Sequence, residues 1–80
     1  MIAIEMRYYA QLREQAGTGS ERLSTTAETP DALYGELQAR HGFSLPKDAL
    51  KVAVNTAFCS WDTALRDGDT VVFIPPVNGG

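Results

Sequence analysis

Residues 65–80 read LRDGDTVVFIPPVNGG, and the fold turns on this block. In TVVFI, residues 70–74, Val71 and Phe73 point to one side and Val72 and Ile74 to the other. Such a strand is apolar on both faces, which is the pattern of a central strand in a covered sheet. Just before it, Asp67-Gly68 marks a tight turn, because this pair tolerates positive φ. Just after it, Pro75-Pro76 fixes two φ angles and removes two donors, so the strand stops there. Four residues follow, Val77, Asn78, Gly79 and Gly80.

Working outward, residues 2–9 alternate. Ile2, Ile4, Met6 and Tyr8 share one face, and Ala3, Glu5, Arg7 and Tyr9 the other, so the period of two predicts a strand. Residues 10–16 suit a short helix stopped by Gly17. Residues 21–26 give a weaker strand, resting on two threonines and Leu23. Thr29-Pro30-Asp31 is a helix start: a capping hydroxyl, a proline at the first helical position and an acid at the positive end of the dipole. The helix runs to Arg40 and His41, with Leu33 and Leu37 inward and Gly42 as its C-terminal stop. Phe43 and Leu45 tuck back onto the core. Residues 46–48 read as loop, 50–54 as a strand, Asn55-Thr56 as a turn, and 57–61 as a short strand.

The order β, α, β, α, β, β, β predicts an α+β fold: a mixed sheet of four or five strands, one main helix on one face and a short additional helix. One substantial helix covers only one face of the sheet. Either loops and the 10–16 helix cover the other, or a second protein does. Tyr9, Phe58 and Ile74 are the candidate patch for the latter, since exposed apolar patches mark interaction sites. The organisation is a domain over 1–74 and a flexible tail over 75–80.

The 80 residues are 44% hydrophobic and 21% charged, ordinary for a single globular domain and unlike a disordered chain. Seven Lys+Arg against ten Asp+Glu leave a net charge of −3 and no basic patch, which argues against nucleic acid. No apolar run approaches the roughly 20 residues of a membrane helix. The N-terminal residues lack the layout of a signal peptide, so the expected location is cytoplasmic. The single cysteine, Cys59, forms no internal disulfide and builds no metal site alone. No bound cofactor or metal is expected.

The tail carries the chemistry. From Pro75 to Gly80 an extended chain reaches roughly 20 Å. Gly79 and Gly80 have no side chain, so they pass where any Cβ would clash. A bare terminal Gly-Gly is most simply a frayed end. Placed after a strand and a stiff Pro-Pro, it becomes a carboxylate presented on a stalk. That carboxylate is ionised at neutral pH and a poor electrophile. Conversion to an acyl-adenylate activates it, and attack by a sulfide or persulfide then leaves a thiocarboxylate.

The residues YYAQLREQAG near the start, TPDAL at the helix start, VAVN at 52–55 and LRDGDTVVFIPPVNGG at the end resemble the sulfur-carrying small subunits of molybdopterin synthase, the MoaD group of ubiquitin-like β-grasp proteins. The resemblance implies a β-grasp fold and a Gly80 that is adenylated, at the expense of ATP, by an E1-like enzyme of the MoeB type. A sulfur donor such as a cysteine desulfurase or rhodanese then makes it a thiocarboxylate. It further implies insertion of the tail into a large subunit of the MoaE type, within a heterotetramer. There the sulfur goes to cyclic pyranopterin monophosphate, two transfers completing one dithiolene. Gly79 and Gly80 carry over as the tail, Tyr9, Phe58 and Ile74 as the apolar interface, with Pro75, Pro76 and Val77 beside them. Tyr9 and Ile74 stand where the family has Phe. A thiamine-type sulfur carrier, or a ubiquitin-like modifier joining Gly80 to lysines, shares the same first step.

Other residues read more plainly. Cys59 is a small core hydrophobe. His41 favours the negative end of its helix. A Cys59–His41 nucleophile pair needs the fold to unite them. Gly17-Thr18-Gly19 fails the dinucleotide signature, because Arg22 stands where its third glycine belongs. Asp67 and Asp69 are turn residues; together with Asp62 they form an acidic cluster that either contacts a basic activating enzyme or serves the turns alone.

Overall fold

The computed structural model describes residues 1–76. The chain runs β1 (Ile2–Arg7), α1 (Ala10–Ala16), β2 (Ser20–Thr25), α2 (Pro30–His41), a 3₁₀ turn (Lys47–Ala49), β3 (Lys51–Val54), β4 (Ala57–Cys59) and β5 (Thr70–Ile74). The sheet order is β2-β1-β5-β3-β4. β5 is therefore central, parallel to β1 and antiparallel to β3. Its two-faced apolar pattern called for that place, since only an interior strand has neighbours on both edges.

Register sorts the side chains. Val71 and Phe73 of β5, Val52 of β3, and Ile4 and Met6 of β1 are buried under α2, against Leu33, Tyr34 and Leu37. Fully burying one such side chain contributes about 1.5–3 kcal/mol. Phe73 is the hub. The Tyr34 ring meets it edge-on at 5.0 Å between centroids, and Trp61 stacks on it at 5.5 Å. Tyr34 keeps its phenol satisfied by donating to the Leu45 carbonyl at 2.6 Å.

Helix ends form as the local chemistry dictates. Thr29 Oγ1 accepts the Ala32 N–H at 3.2 Å, and Gly42 closes α2 at φ 71°, donating to the Gln38 carbonyl. Gly17 closes α1 in the same way, at φ 79°. The turn before β5 is bolted to β1: the Gly68 N–H donates to the Ala3 carbonyl at 2.8 Å, and Asp67 Oδ1 accepts the Ala3 N–H at 2.7 Å. These bonds set the parallel pairing that a tight hairpin cannot make.

Several boundaries differ from the sequence reading; β2 ends at Thr25 rather than at residue 26, and β3 starts at Lys51 rather than at residue 50. β1 ends at Arg7, with one further bond from the Tyr8 N–H to the Gly19 carbonyl at 2.9 Å, because the chain turns into α1, whose first N–H groups bond to the Tyr9 carbonyl. β2 begins at Ser20, one residue earlier than expected. Residues 46–48, expected as loop, overlap a 3₁₀ turn at Lys47–Ala49. β4 stops at Cys59, two residues short, because Trp61 turns in to stack on Phe73 while its carbonyl accepts the Asp31 N–H at 3.0 Å.

Among the described residues neither loops nor α1 cover the second face of the sheet, contrary to the first of the two expectations. Leu12, the one buried residue of α1, joins the helix-side core instead.

The β3–β4 hairpin turns through Asn55 at φ 51° and Thr56 at φ 72°. Asn tolerates this region; a β-branched threonine is strained in it, and a turn of this kind favours Asn-Gly. Thr56→Gly is expected to stabilise the protein by about 1 kcal/mol. Thermal unfolding should then rise by roughly 4–8 °C. An unchanged or lower midpoint would show that the turn is not strained.

Candidate functional site

The open face is built by the odd side of β1 and the even side of β5. Arg7 pairs with Val72, Val72 with Ala53, and Ala53 with Phe58, so these four lie in one row across β1, β5, β3 and β4. Ile74 lies opposite Lys51 in the next row. Tyr9, past the end of β1, borders the same hollow as Arg7 and Val72. Tyr9 is 51% exposed and Phe58 70% exposed, while Val72 and Ile74 are half-buried. Large apolar side chains this exposed are unexplained by the domain's own stability and mark a contact surface.

Two shallow hollows shape it. One, of about 420 Å³, is walled by Phe58, Ile74, Pro75 and Pro76, with Lys51 and Asp48 at its rim. The other, of about 560 Å³, is walled by Tyr9 and Val72, with Arg7, Thr70 and the Asn55-Thr56 turn. Phe58, Ile74, Pro75 and Pro76 thus gather around the point where β5 ends, and Tyr9 borders the neighbouring hollow beside Val72. The tail leaves that face at Pro75. Val77, Gly79 and Gly80, and with them most of the 75–80 tail, lie outside the described residues.

The remaining candidates separate. Cys59 is a free thiol on β4, half-buried and packed against the core. His41 ends α2 beside β2, and β2 and β4 are opposite edges of the sheet. The fold therefore does not form a Cys59–His41 pair. Asp69 is spent within the fold, accepting from Asn55 Nδ2 and the Arg66 N–H, each at 2.8 Å. Asp67 holds Ala3, and Asp62 accepts from the Ser60 hydroxyl at 2.5 Å. Gly17-Thr18-Gly19 only joins α1 to β2. Among the described residues no group of three or more His, Cys, Asp or Glu is placed to hold a metal ion, and no helix is long and apolar enough to cross a membrane.

The sequence reading missed a polar clasp at the far edge. Glu21 of β2 accepts the Tyr8 hydroxyl at 2.7 Å, His41 Nε2–H at 2.9 Å and Arg40 at 3.1 Å. Burial pushes the Glu21 carboxyl up, but the hydrogen bonds from Tyr8 and His41 and the charges of His41 and Arg40 outweigh it, and the net shift is downward. Burial, then the bond to Glu21, drives the Tyr8 phenol well above its usual value, so it stays a donor. No spacing rule pairs 8, 21 and 41; only the fold brings them together.

The architecture is that of a ubiquitin-like β-grasp protein: a mixed five-stranded sheet with its main helix on one face and the last strand in the middle. Comparison places it more closely. The family model described as the ThiS family matches residues 6–80, and the chain belongs to that family. It is 38% identical over 80 residues to the molybdopterin synthase sulfur carrier subunit of Escherichia coli strain K12, covering 96% of this chain and 99% of that protein. A solved structure of a putative molybdopterin converting factor, subunit 1, from Pyrococcus furiosus superposes with a TM-score of 0.79 at 29% identity, covering 96% of this chain and all of that one. SAMP1 from Haloferax volcanii superposes at 0.78 with 25% identity, covering 98% of this chain and 99% of that one.

Because its carboxyl is held low in the folded state, Glu21 contributes stability at pH values above its unfolded pKa, and loses it as pH falls through the folded one. Glu21→Gln is expected to lower stability at neutral pH by about 1–2 kcal/mol. The gap from the native protein should close in acid. A gap that stays constant from neutral to acid pH would rule out the ionised clasp.

Proposed function

We propose that this chain is the sulfur-carrying small subunit of a molybdopterin synthase. The supporting observation is a conjunction: near full-length kinship with a molybdopterin synthase sulfur carrier subunit, and an exposed apolar face surrounding the root of a tail that ends Gly79-Gly80. In this reading an ATP-using E1-like enzyme joins the Gly80 carboxylate to AMP and releases pyrophosphate. Sulfide attack on the acyl carbon expels AMP and leaves a thiocarboxylate directly. Attack by a donor's persulfide expels AMP and leaves an acyl disulfide, whose S–S bond a thiol then cleaves, forming a disulfide with the donor and releasing the thiocarboxylate. Tyr9, Phe58 and Ile74 dock on the large subunit, Pro75 and Pro76 stiffen the root, and the tail from Val77 onward enters the partner's site. There the sulfur passes to cyclic pyranopterin monophosphate. The chain itself binds no ATP and supplies no catalytic side chain.

Full-length kinship to molybdopterin synthase carriers favours this pathway over a thiamine-type carrier. A second reading, a modifier that joins Gly80 to lysines, draws on the likeness to SAMP1, a small archaeal modifier protein. Lysine conjugates in cell extract, detected by mass spectrometry, distinguish it.

Incubation with ATP, a sulfur source and the activating enzyme should change the intact mass by the replacement of one oxygen with sulfur. Deletion of Gly80 should abolish this change and leave thermal unfolding unaltered. Molybdopterin formation by the truncated protein would overturn the mechanism. Phe58→Asp should weaken binding to the large subunit by at least about 2 kcal/mol, roughly 30-fold in Kd, by burying an unpaired charge. Its thermal midpoint should barely move, because Phe58 is exposed. Unchanged affinity would place the interface elsewhere.

A further inference from the structure

We propose that the open face takes a second copy of this chain, the two pairing face to face about a two-fold axis in a weak dimer. The chemistry of the occupant is then this chain's own. The inference does not depend on the carrier reading.

Charge singles out this face for self-pairing. It carries three cations, Arg7, Arg22 and Lys51, and three carboxylates, Glu5, Asp48 and Asp67. The remaining four cations and seven acids of the chain carry the whole net charge of −3. Two copies meeting through their helix sides therefore repel, whereas two open faces meet with no net charge on either. The signs are also mixed within the face. Glu5 lies 2.9 Å from Arg7 and 3.9 Å from Arg22, Arg22 and Asp67 line one hollow, and Lys51 and Asp48 line another. No block of one sign is brought against its own image.

The register makes the apolar part self-complementary as well. Arg7, Val72, Ala53 and Phe58 form one row across four strands. A two-fold axis along the strands, between β5 and β3, sets the Phe58 of one copy over the Arg7 of the other, and Val72 over Ala53. An interface of this symmetry uses the same patch on both copies. Phe58, 70% exposed, gains a guanidinium against its ring, and that guanidinium enters already paired with Glu5. A larger side chain, Val72, meets a smaller one, Ala53. The strands of the two sheets keep nearly one direction, which is the aligned packing of sheet on sheet.

The area sets the strength. Four overlapping strands spaced ~4.8 Å apart are roughly 19 Å wide, and a strand the length of β5 is roughly 17 Å long. Pairing hides on the order of 700 Å² in all, below the roughly 1,200 Å² of a stable complex. The dimer is accordingly weak, with a Kd of about 0.1–1 mM. A partner that binds the same face more tightly displaces the second copy.

Sedimentation equilibrium of the full chain from about 0.02 to 2 mM should carry the mean mass from that of a monomer toward that of a dimer. Over the same range the amide NMR signals of Ala53, Phe58 and Val72 should shift, and those of α2 should stay fixed. Phe58→Lys removes the ring and sets a like charge over Arg7; it should weaken pairing at least about tenfold. The unshifted α2 signals of that variant show that it is folded. Lys47→Gln, on the helix side where Lys47 is bound to Asp31, should leave pairing unchanged. A chain that stays monomeric to about 2 mM would overturn the inference. So would a dimer that Phe58→Lys leaves intact, or one whose shifts fall in α2, and none of these results bears on sulfur transfer.

Discussion

The pairing of β5 with β1 and β3 is the constraint on which the rest depends. β5 is the last strand in sequence and the middle one in space, so the sheet has no continuity until it inserts. Its inward side chains, Val71 and Phe73, are fully buried and receive α2, Tyr34 and Trp61 from above. Its outward side chains, Val72 and Ile74, form the spine of the open face. One five-residue strand therefore builds the core and the candidate contact surface at once, and it ends where the tail begins.

This placement explains why a small domain tolerates exposed aromatic side chains. The helix side holds a closed aromatic cluster around Phe73 and supplies the stability the chain needs on its own. Tyr9 and Phe58 lie outside that cluster, so their exposure is not a failure of packing. The polar clasp of Glu21, Tyr8, His41 and Arg40 works at the opposite edge from β4. It ties the end of α2 to the β1–β2 pair, and leaves the contact face free of structural duties.

The parallel β1–β5 pair has a further consequence. Parallel strands need a long crossover, here nearly the whole chain between residues 7 and 70. The turn 66–69 ends that crossover by bonding its Gly68 and Asp67 to Ala3. Asp67 and Asp69, which in isolation resemble an acidic cluster, are consumed in making this junction. Their carboxylates accept the backbone N–H groups of Ala3 and Arg66 and the Asn55 side-chain amide.

Much of this was legible in the residues themselves. The period of two in 2–9 foretold the buried run of Ile4, Met6 and Tyr8. Thr29-Pro30 and Gly42 bounded α2, and Gly17 ended α1, because caps are local devices whose partners lie within four residues. The apolar faces of 70–74 announced a central strand, and the motif at 65–80 pointed to the family. Local signals did not reach the early end of β4, where Trp61 is drawn to Phe73, nor the Glu21 clasp, whose members are up to 33 positions apart in sequence. Nor did they decide whether the second sheet face was covered. That depends on where α1 packs, and Leu12 packs beside α2. Periodicity and capping chemistry set which elements form and which side chains share a face. Only tertiary packing, which joins residues without regard to their separation along the chain, decided that one of those faces would remain open around the root of the tail.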